Sequence, residues 1–303
     1  MYIGWQFFLY FQWAIGKTGT FIPKPPSVEA FLPLSALLAA KRLFMTGAWD
    51  PIHPAGLTLF LAFVCMALLF RKGFCGYICP VGFASSLVER IGRRLRLSRE
   101  MPRWISLPLS LIKYYLLFRF CSALLRMGLQ EISAFLNAPY NFVADAKMLV
   151  LFIAPSNTTL TVLGALTALS LVFRNAWCRF LCPYGAFLGL IALISPLAIT
   201  RDAKICVDCK RCSRACPAGI AVHRKRRVLS PDCIGCAACT EACPVPNCVT
   251  ARLGTRRVPF WTIAAGCLAL LAGFYLWAVI TGHWTSTIPP VMLRRFHMMQ
   301  FGM

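Results

Sequence analysis

Long stretches without charge constrain this chain more than any other feature. Of its 303 residues 58% are hydrophobic and 14% are charged, and the mean hydropathy is +0.66. Soluble domains carry roughly a quarter charged residues, so lipid is the expected solvent for much of this chain. Disorder is excluded by the hydrophobic content, and a secreted disulfide scaffold is disfavoured because the 16 Cys residues are clustered. The composition predicts an integral membrane protein.

Five apolar stretches are candidate membrane spans. They cover residues 1–16, 51–70, 106–128, 157–173 and 258–282. A spanning helix needs about 20 residues, and the first stretch is short for that. We therefore expect the first span to begin upstream of residue 1.

The basic residues predict the orientation of these spans. Segments 71–103 and 174–257 hold 22 of the 32 Lys and Arg residues, whereas segments 17–55, 129–157 and 283–303 hold seven. Cytoplasmic loops carry the excess of Lys and Arg, so the two basic segments are expected inside and residue 303 outside. The net charge of +22 then reflects topology and attraction to anionic lipid headgroups, and no nucleic acid partner is expected.

Two cysteine runs of identical spacing, C-x2-C-x2-C-x3-C-P, carry the most specific chemical signal. The first run contains Cys206, Cys209, Cys212 and Cys216, and the second contains Cys233, Cys236, Cys239 and Cys243. In bacterial two-cluster ferredoxins the fourth Cys of each run ligates the other cluster. We therefore predict two 4Fe-4S clusters, one on Cys206, Cys209, Cys212 and Cys243 and the other on Cys233, Cys236, Cys239 and Cys216.

Other uses of these cysteines fit the spacing less well. Zinc ribbons use separated C-x2-C pairs, and a reducing cytoplasm disfavours disulfides. Cys248, which follows the second run, is expected to be an unligated thiol.

A second repeat follows the second and fourth candidate spans. Residues 70–82 read FRKGFCGYICPVG, and residues 173–185 read FRNAWCRFLCPYG. Each contains a C-x3-C pair, and residues four apart share one face of a helix. The four cysteines are Cys75, Cys79, Cys178 and Cys182. Three interpretations stay open: a third iron–sulfur cluster shared by both pairs, independent redox dithiols, and simple packing, which the repetition disfavours.

The order of these motifs resembles the polyferredoxin membrane proteins of bacterial respiration. That group includes the quinol dehydrogenase membrane component of periplasmic nitrate reductase and the membrane half of the nitrous oxide reductase accessory flavoprotein. The segments VEAFLPL (residues 28–34), HPA (53–55) and TGHW (281–284) also resemble recurrent pieces of this group. The resemblance therefore covers nearly the whole chain.

From these features we expect an all-α integral membrane bundle of about five helical spans with a cytoplasmic ferredoxin-like (α+β) two-cluster insert. Residues 1–200 are expected to form the transmembrane region with both C-x3-C-P motifs. Residues 201–253 are expected to form the two-cluster domain, and residues 254–303 the last span and an outer tail.

Three further residues are candidates for contact with a quinone or a haem. His53 and His283 fall at the predicted outer face, where a pair of His residues binds such a ligand or simply meets water. Arg119 lies well inside the third candidate span. A charge at that depth marks a functional site by default.

The predicted function is electron transfer by a multi-pass protein of the bacterial inner membrane. The resemblance implies an electron-transfer subunit of the quinol dehydrogenase type, an oxidoreductase component. Such a subunit would link the quinone pool or a soluble cytoplasmic electron carrier to a periplasmic redox protein or flavoprotein. The alternative is an assembly factor that reduces a metal or thiols of a respiratory metalloenzyme.

Overall fold

The computed structural model describes residues 2–98 and 101–301. Helices make up most of this part of the chain. The α-helices are Tyr2–Ala14 (α1), Pro33–Thr46 (α2), Pro54–Phe70 (α3), Pro80–Arg94 (α4), Arg103–Arg126 (α5), Leu129–Leu136 (α6), Pro139–Phe142 (α7), Ala144–Ile153 (α8), Asn157–Val172 (α9), Pro183–Ile191 (α10), Arg211–Arg214 (α11), Ala238–Glu241 (α12), Trp261–Ile280 (α13) and Pro290–Phe301 (α14). Short 3-10 helices lie at Pro26–Phe31, Ala192–Ile194 and Val222–Arg224.

Two helices in the described part of the chain are long and apolar enough to cross a membrane. They are Trp104–Arg126 and Trp261–Ile280, which coincide with the third and fifth candidate spans. Helices α8 and α9 meet the same criterion only as a pair, bent by 78° at the break between them. The five-span arrangement stays a prediction.

The bend between α8 and α9 has a local cause. Pro155 lies in the break and cannot continue a helix, because its ring removes a backbone donor and clashes with the preceding turn. Ser156 then starts α9, since its Oγ accepts a hydrogen bond from the N–H of Thr159 at 3.2 Å.

The chain forms two compact units, the first made of Met1–Ala62, Ser122–Leu160 and Leu271–Met303. Within it α1 packs on α14, and α2 packs on α6. Tyr10 and His297 meet edge to face at 5.7 Å between ring centroids. Lys41 Nζ donates to the carbonyls of Leu124 and Met127, each at 2.8 Å, and so satisfies acceptors at the C-terminus of α5.

The second unit consists of Phe63–Cys121 and Thr161–Leu270 and contains every predicted cluster ligand. Its sheet has the antiparallel order β2-β1-β3-β4. The strands are Leu197–Arg201 (β1), Arg227–Val228 (β2), Val249–Leu253 (β3) and Arg256–Val258 (β4). Strand β1 precedes the first cysteine run and β3 follows the second, so their pairing brings the two ends of the cysteine-rich segment together. Strands and short helices together give this segment α+β character.

Candidate metal centres

One cavity brings cysteines of both runs together. Its walls include four cysteines, Cys216, Cys233, Cys236 and Cys239. Ile199 and Val228, paired across β1 and β2, form an apolar side of the same cavity. Four thiols around an apolar space fit a 4Fe-4S cluster, which is held by four cysteine thiolates. This group, called the cavity set below, is the combination predicted for the second cluster.

The two runs bend through the same backbone conformations. The residue before the second Cys has positive φ in both, Asp208 at 49° and Gly235 at 71°, as does the residue after it, Lys210 at 59° and Ala237 at 55°. Each bend leads into a short helix, and these two helices, α11 and α12, pack on each other. A non-glycine residue in the left-handed region costs roughly 1–2 kcal/mol. Strain repeated at matching positions indicates loops that a function maintains.

The thiols of the predicted first cluster lie nearer the surface. This first set consists of Cys206, Cys209, Cys212 and Cys243, of which Cys212 is buried and the others are half-buried. Cys206 and Cys243 both lie within electrostatic range of Cys212. The N–H of Asp208, which hydrogen-bonds to the sulfur, lowers the pKa of Cys206. Such N–H donors are a means of tuning a bound cluster.

Cys248 adjoins the first set, a position that its sequence context does not reveal. Its thiol is buried and lies in hydrogen-bond contact with the thiols of Cys206 and Cys243. Its Sγ also donates to the carbonyl of Asp202 at 3.6 Å. The expectation of an unligated thiol stays a prediction.

Metal binding at these thiols must displace protons. Burial, with the charges of Cys233 and Cys236 beside it, raises the pKa of Cys216 to about 11. Burial likewise raises the pKa of Cys236 and of Cys239. Thiolates are the metal-binding form, so cluster insertion releases protons. Among the described residues no three His, Cys, Asp or Glu side chains converge on one ion, whereas the thiolates of a 4Fe-4S cluster each bind a different iron.

The two C-x3-C-P motifs fold as a matched pair of π-helical turns. These turns are Phe74–Ile78 and Trp177–Leu181. The N–H of Cys79 donates to the carbonyl of Phe74 at 2.9 Å, and that of Cys182 to the carbonyl of Trp177 at 3.0 Å. π-Helical turns are rare in proteins as a whole, and those that occur are often found at functional sites.

The second cysteine of each motif caps the helix that follows. Cys79 Sγ accepts a hydrogen bond from the N–H of Gly82 at 3.5 Å, and Cys182 Sγ accepts one from Gly185 at 3.3 Å. Proline occupies the first helical position after each Cys, where its missing N–H costs nothing. The N–H groups and dipole of a helix N-terminus stabilise a thiolate at this position.

The structure brings the four thiols of these motifs into one group, called the four-cysteine site below. Cys79 and Cys182 lie within electrostatic range of Cys75, and Cys75, Cys79 and Cys182 lie within electrostatic range of Cys178. Burial, with these neighbours, raises the pKa of Cys75 and of Cys178 to about 12. The buried Lys72 is a cation that faces this site.

Both π-helical turns pack on loops of the cavity set. Tyr77 Oη donates to the carbonyl of Gly235 at 3.2 Å, and a Cβ on Gly76 would lie 2.7 Å from the carbonyl oxygen of Ile234. On the other turn, the guanidinium of Arg179 lies against Gly219, and two residues before that turn Asn175 Nδ2 donates to the carbonyl of Pro217 at 3.3 Å. Since these loops carry Cys236 and Cys216, the four-cysteine site adjoins the cavity set.

The other predicted site residues have separate surroundings. In the first unit His53 is buried, with Nδ1 3.2 Å from a carboxylate oxygen of Glu29 and Nε2 2.8 Å from the carbonyl of Asn141. His283 stacks on Trp277 at 5.5 Å between ring centroids. In the second unit Arg119 lies exposed on α5. Their contact with a quinone or haem stays a prediction.

Sequence reasoning missed a buried ion network in the first unit. Lys24 Nζ lies 2.9 Å from Glu29 Oε1 and 2.7 Å from Asp145 Oδ2, and both carboxylates are 2% exposed. Burial alone would raise the pKa of Asp145, but Lys24 beside it holds that pKa below its usual range. One sign of this network was visible in the sequence: the chain has only 10 acidic residues, so each of them is a candidate for a specific ion pair.

Sequence reasoning also missed an ion pair formed by a buried lysine in the second unit. Lys113 on α5 is fully buried and forms an ion pair with Asp232, the residue before Cys233. The sequence shows Lys113 as a charged residue within an apolar stretch. It does not show that its partner lies 119 positions away.

Comparison with known protein families identifies the class. The model of the "4Fe-4S binding domain" family matches residues 52–98 and 158–200, which contain the two C-x3-C-P motifs. The model of the "4Fe-4S dicluster domain" family matches residues 198–244, which contain both cysteine runs. The protein is thus an iron–sulfur protein with 4Fe-4S domains.

Individual relatives are similar to this chain over more of its length than the family models. YccM of Escherichia coli strain K12, named as a putative electron transport protein, is 36% identical over 300 residues, 96% of this chain and 83% of YccM. The ferredoxin-type protein NapH of Haemophilus influenzae is 27% identical over 61% of each chain. The regulatory protein NosR of Pseudomonas aeruginosa is 30% identical over 53% of this chain and 22% of NosR. The chain belongs to this family of ferredoxin-type 4Fe-4S electron transport proteins. No solved structure matches it.

Proposed function

We propose that this protein is a membrane-bound electron-transfer protein that links the quinone pool or a cytoplasmic donor to a periplasmic redox partner. The observation that carries the proposal is the hydrogen bond from Tyr77 to the carbonyl of Gly235. It joins the four-cysteine site to the loop between Cys233 and Cys236. Two groups of thiols on segments that contact each other suit transfer of electrons from one group to the other.

The residues that hold the ferredoxin-type clusters follow from the two runs and the cavity. We assign the first set to one 4Fe-4S cluster and the cavity set to the other. A bound 4Fe-4S cluster supplies one-electron transfer with little change in its ligands. The protein supplies four thiolates to each cluster, backbone N–H donors to the sulfurs, and an apolar wall at Ile199 and Val228.

The four-cysteine site is proposed as a third redox site. Its four thiols come from two matching turns, and two of them cap helices that stabilise negative charge. The family model that matches these two segments is itself one of 4Fe-4S binding. The repetition of the turn and the cap supports one shared site over two independent thiol pairs.

The contacts suggest an order of electron transfer. Helices α11 and α12 pack together, so the first set and the cavity set are neighbours. The cavity set in turn contacts both π-helical turns. Electrons therefore pass along the series first set, cavity set and four-cysteine site, in the direction that the donor and acceptor determine.

The proposed location is the bacterial inner membrane, with the clusters on the cytoplasmic side and the C-terminus outside. The two apolar helices α5 and α13 support membrane insertion. The concentration of 22 of the 32 Lys and Arg residues in segments 71–103 and 174–257 supports the orientation. His53, His283 and Arg119 stay candidates for quinone contact.

A second candidate function is assembly of a respiratory metalloenzyme by reduction of a metal or of thiols. The caps at Cys79 and Cys182 favour it, because a helix N-terminus activates a thiol for exchange.

Quinol-dependent reduction in membranes tests the proposal. Anaerobic inverted vesicles receive a quinol, and the EPR signals of reduced clusters are recorded in the parent protein and in Cys75→Ala. We expect reduction in the parent and loss of quinol-dependent reduction in the variant, with Cys121→Ala on α5 as a matched control. Reduction of an added copper ion without any quinol dependence would instead support the assembly function.

A further inference from the structure

Lys113 is a fully buried cation on α5, one of two helices in the described residues that are suited to crossing a membrane. Its Nζ pairs with Asp232 Oδ1 and lies 5.2 Å from the centroid of the Tyr114 ring. Ionisable residues within membrane helices are rare, and they mark functional sites because burial of the charge is costly.

The ion pair lies between two groups of cysteines. Asp232 directly precedes Cys233 of the cavity set. On its other side, the charge of Lys113 acts on Cys75 and Cys182 of the four-cysteine site. The loop of Asp232 is held in place, since Arg71 Nη2 donates to the carbonyl of Ser230 at 2.7 Å.

Stability does not account for such a pair. Lys113 is fully buried, whereas the side chain of Asp232 is 26% exposed. The desolvation cost of a buried charge commonly equals or exceeds its attraction to a partner, so an apolar side chain of similar volume is often as stable. An electrostatic role fits better. Reduction adds one electron to a centre, so a nearby cation favours the reduced form and a nearby carboxylate opposes it, and a low dielectric strengthens both effects.

We infer that the Lys113–Asp232 pair sets the reduction potentials of the two sites between which it lies. Lys113 raises the potential of the four-cysteine site, and Asp232 lowers the potential of the centre ligated by Cys233. The inference rests on the proposed function, because it requires redox centres at these thiols. Lys72 faces the four-cysteine site and Arg179 faces Asp232, so Lys113 acts within a larger positive field.

Redox-titrated EPR of the anaerobically purified full-length protein tests this inference. Lys113→Met should lower the midpoint potential of the four-cysteine site, and Asp232→Asn should raise that of the cavity-set centre. The double variant should combine the two shifts, with a lower potential at the four-cysteine site and a higher potential at the cavity-set centre. Lys147→Met, which removes a cation from the first unit, is the control and should shift neither potential.

The opposite signs separate electrostatics from structural damage. Both substitutions break the same ion pair, so a purely structural role predicts shifts of one sign in both variants, or none, and either result overturns the inference. If Lys113→Met loses iron, Asp232→Asn decides alone: an upward shift supports the inference and an unchanged potential overturns it. Titration with dithionite and mediators needs no physiological donor, so failure of quinol-dependent reduction would count against the proposed function and not against this pair.

Discussion

Cys216 lines the same cavity as Cys233, although the two residues belong to different cysteine runs. This placement predicts crossed ligation. Cys216→Ala should damage the centre of Cys233, Cys236 and Cys239, and Cys243→Ala should damage that of Cys206, Cys209 and Cys212. EPR of the reduced protein, with iron and sulfide counts, measures both losses. If each variant instead loses the centre of its own run, the crossed assignment is wrong.

The four-cysteine site predicts iron beyond the ferredoxin-type clusters. Two 4Fe-4S clusters account for about eight iron atoms per chain, and a shared third cluster should add about two to four more. Substitution of any one of its four cysteines by Ala should remove all of that excess, because the ligands act as a set.

The iron count also distinguishes the alternatives. A parent protein that holds about eight iron atoms after anaerobic purification would rule out the shared cluster and leave the dithiol interpretation. Cys121→Ala should match the parent in iron content, because Cys121 lies on α5 outside both motifs.

The contact between Gly76 and Ile234 predicts a sensitive glycine. A Cβ at position 76 would lie 2.7 Å from the backbone oxygen of Ile234, so the turn and the cluster loop must separate in Gly76→Ala. We expect a loss of about 1–3 kcal/mol in stability and slower electron exchange between the adjacent sites. Thermal unfolding and freeze-quenched EPR measure the two effects. Gly164→Ala on α9, where no atom lies within 4 Å of the new methyl, should be nearly silent.

The Lys and Arg asymmetry predicts the topology. An alkaline phosphatase fused to the C-terminus should be active, and a green fluorescent protein fused at the same place should be dark, because residue 303 is predicted outside. Active phosphatase at a fusion point within residues 203–205 of the cluster segment, or a fluorescent C-terminal fusion, would contradict the proposed orientation.

The ion network of Lys24, Glu29 and Asp145 predicts loss of stability in acid. The folded-state pKa values of both carboxylates lie below their usual values. Their contribution is therefore present above the unfolded pKa of about 4 and is lost as pH falls through the lower folded value. The melting temperature in detergent should therefore fall as the pH is lowered below about 4. Asp145→Asn should cost about 3–5 kcal/mol at pH 7 and flatten the acid dependence, because it leaves Lys24 partly unpaired. Glu131→Gln, on the exposed start of α6, should leave the acid dependence unchanged.

Much of the candidate site could be predicted from the sequence because it depends on local spacing. The C-x2-C-x2-C-x3-C-P runs and the C-x3-C-P pairs each lie on one short segment. The structure places Cys216 beside the cysteines of the second run and brings the two C-x3-C-P pairs near each other, whereas ligation of clusters by these residues stays a prediction. The two described helices that are long and apolar enough to cross a membrane were likewise expected from composition.

Features that depend on distant contacts could not be predicted. Lys113 and Asp232 are 119 positions apart, and only the fold makes them neighbours. Arg119 had the deeper position along its stretch, but the structure leaves it exposed and buries Lys113 on the same helix. The positive φ of Asp208, Lys210 and Ala237 was equally hidden, since these residues are not the glycines that normally mark such turns.

The register of β1 on β3 pairs Leu197 with Leu253, so the polypeptide enters and leaves the cysteine-rich segment at neighbouring points. A segment with adjacent ends replaces a simple hairpin without moving the helices on either side of it. Insertion, deletion or replacement of residues between two such adjacent ends therefore leaves the flanking chain where it is.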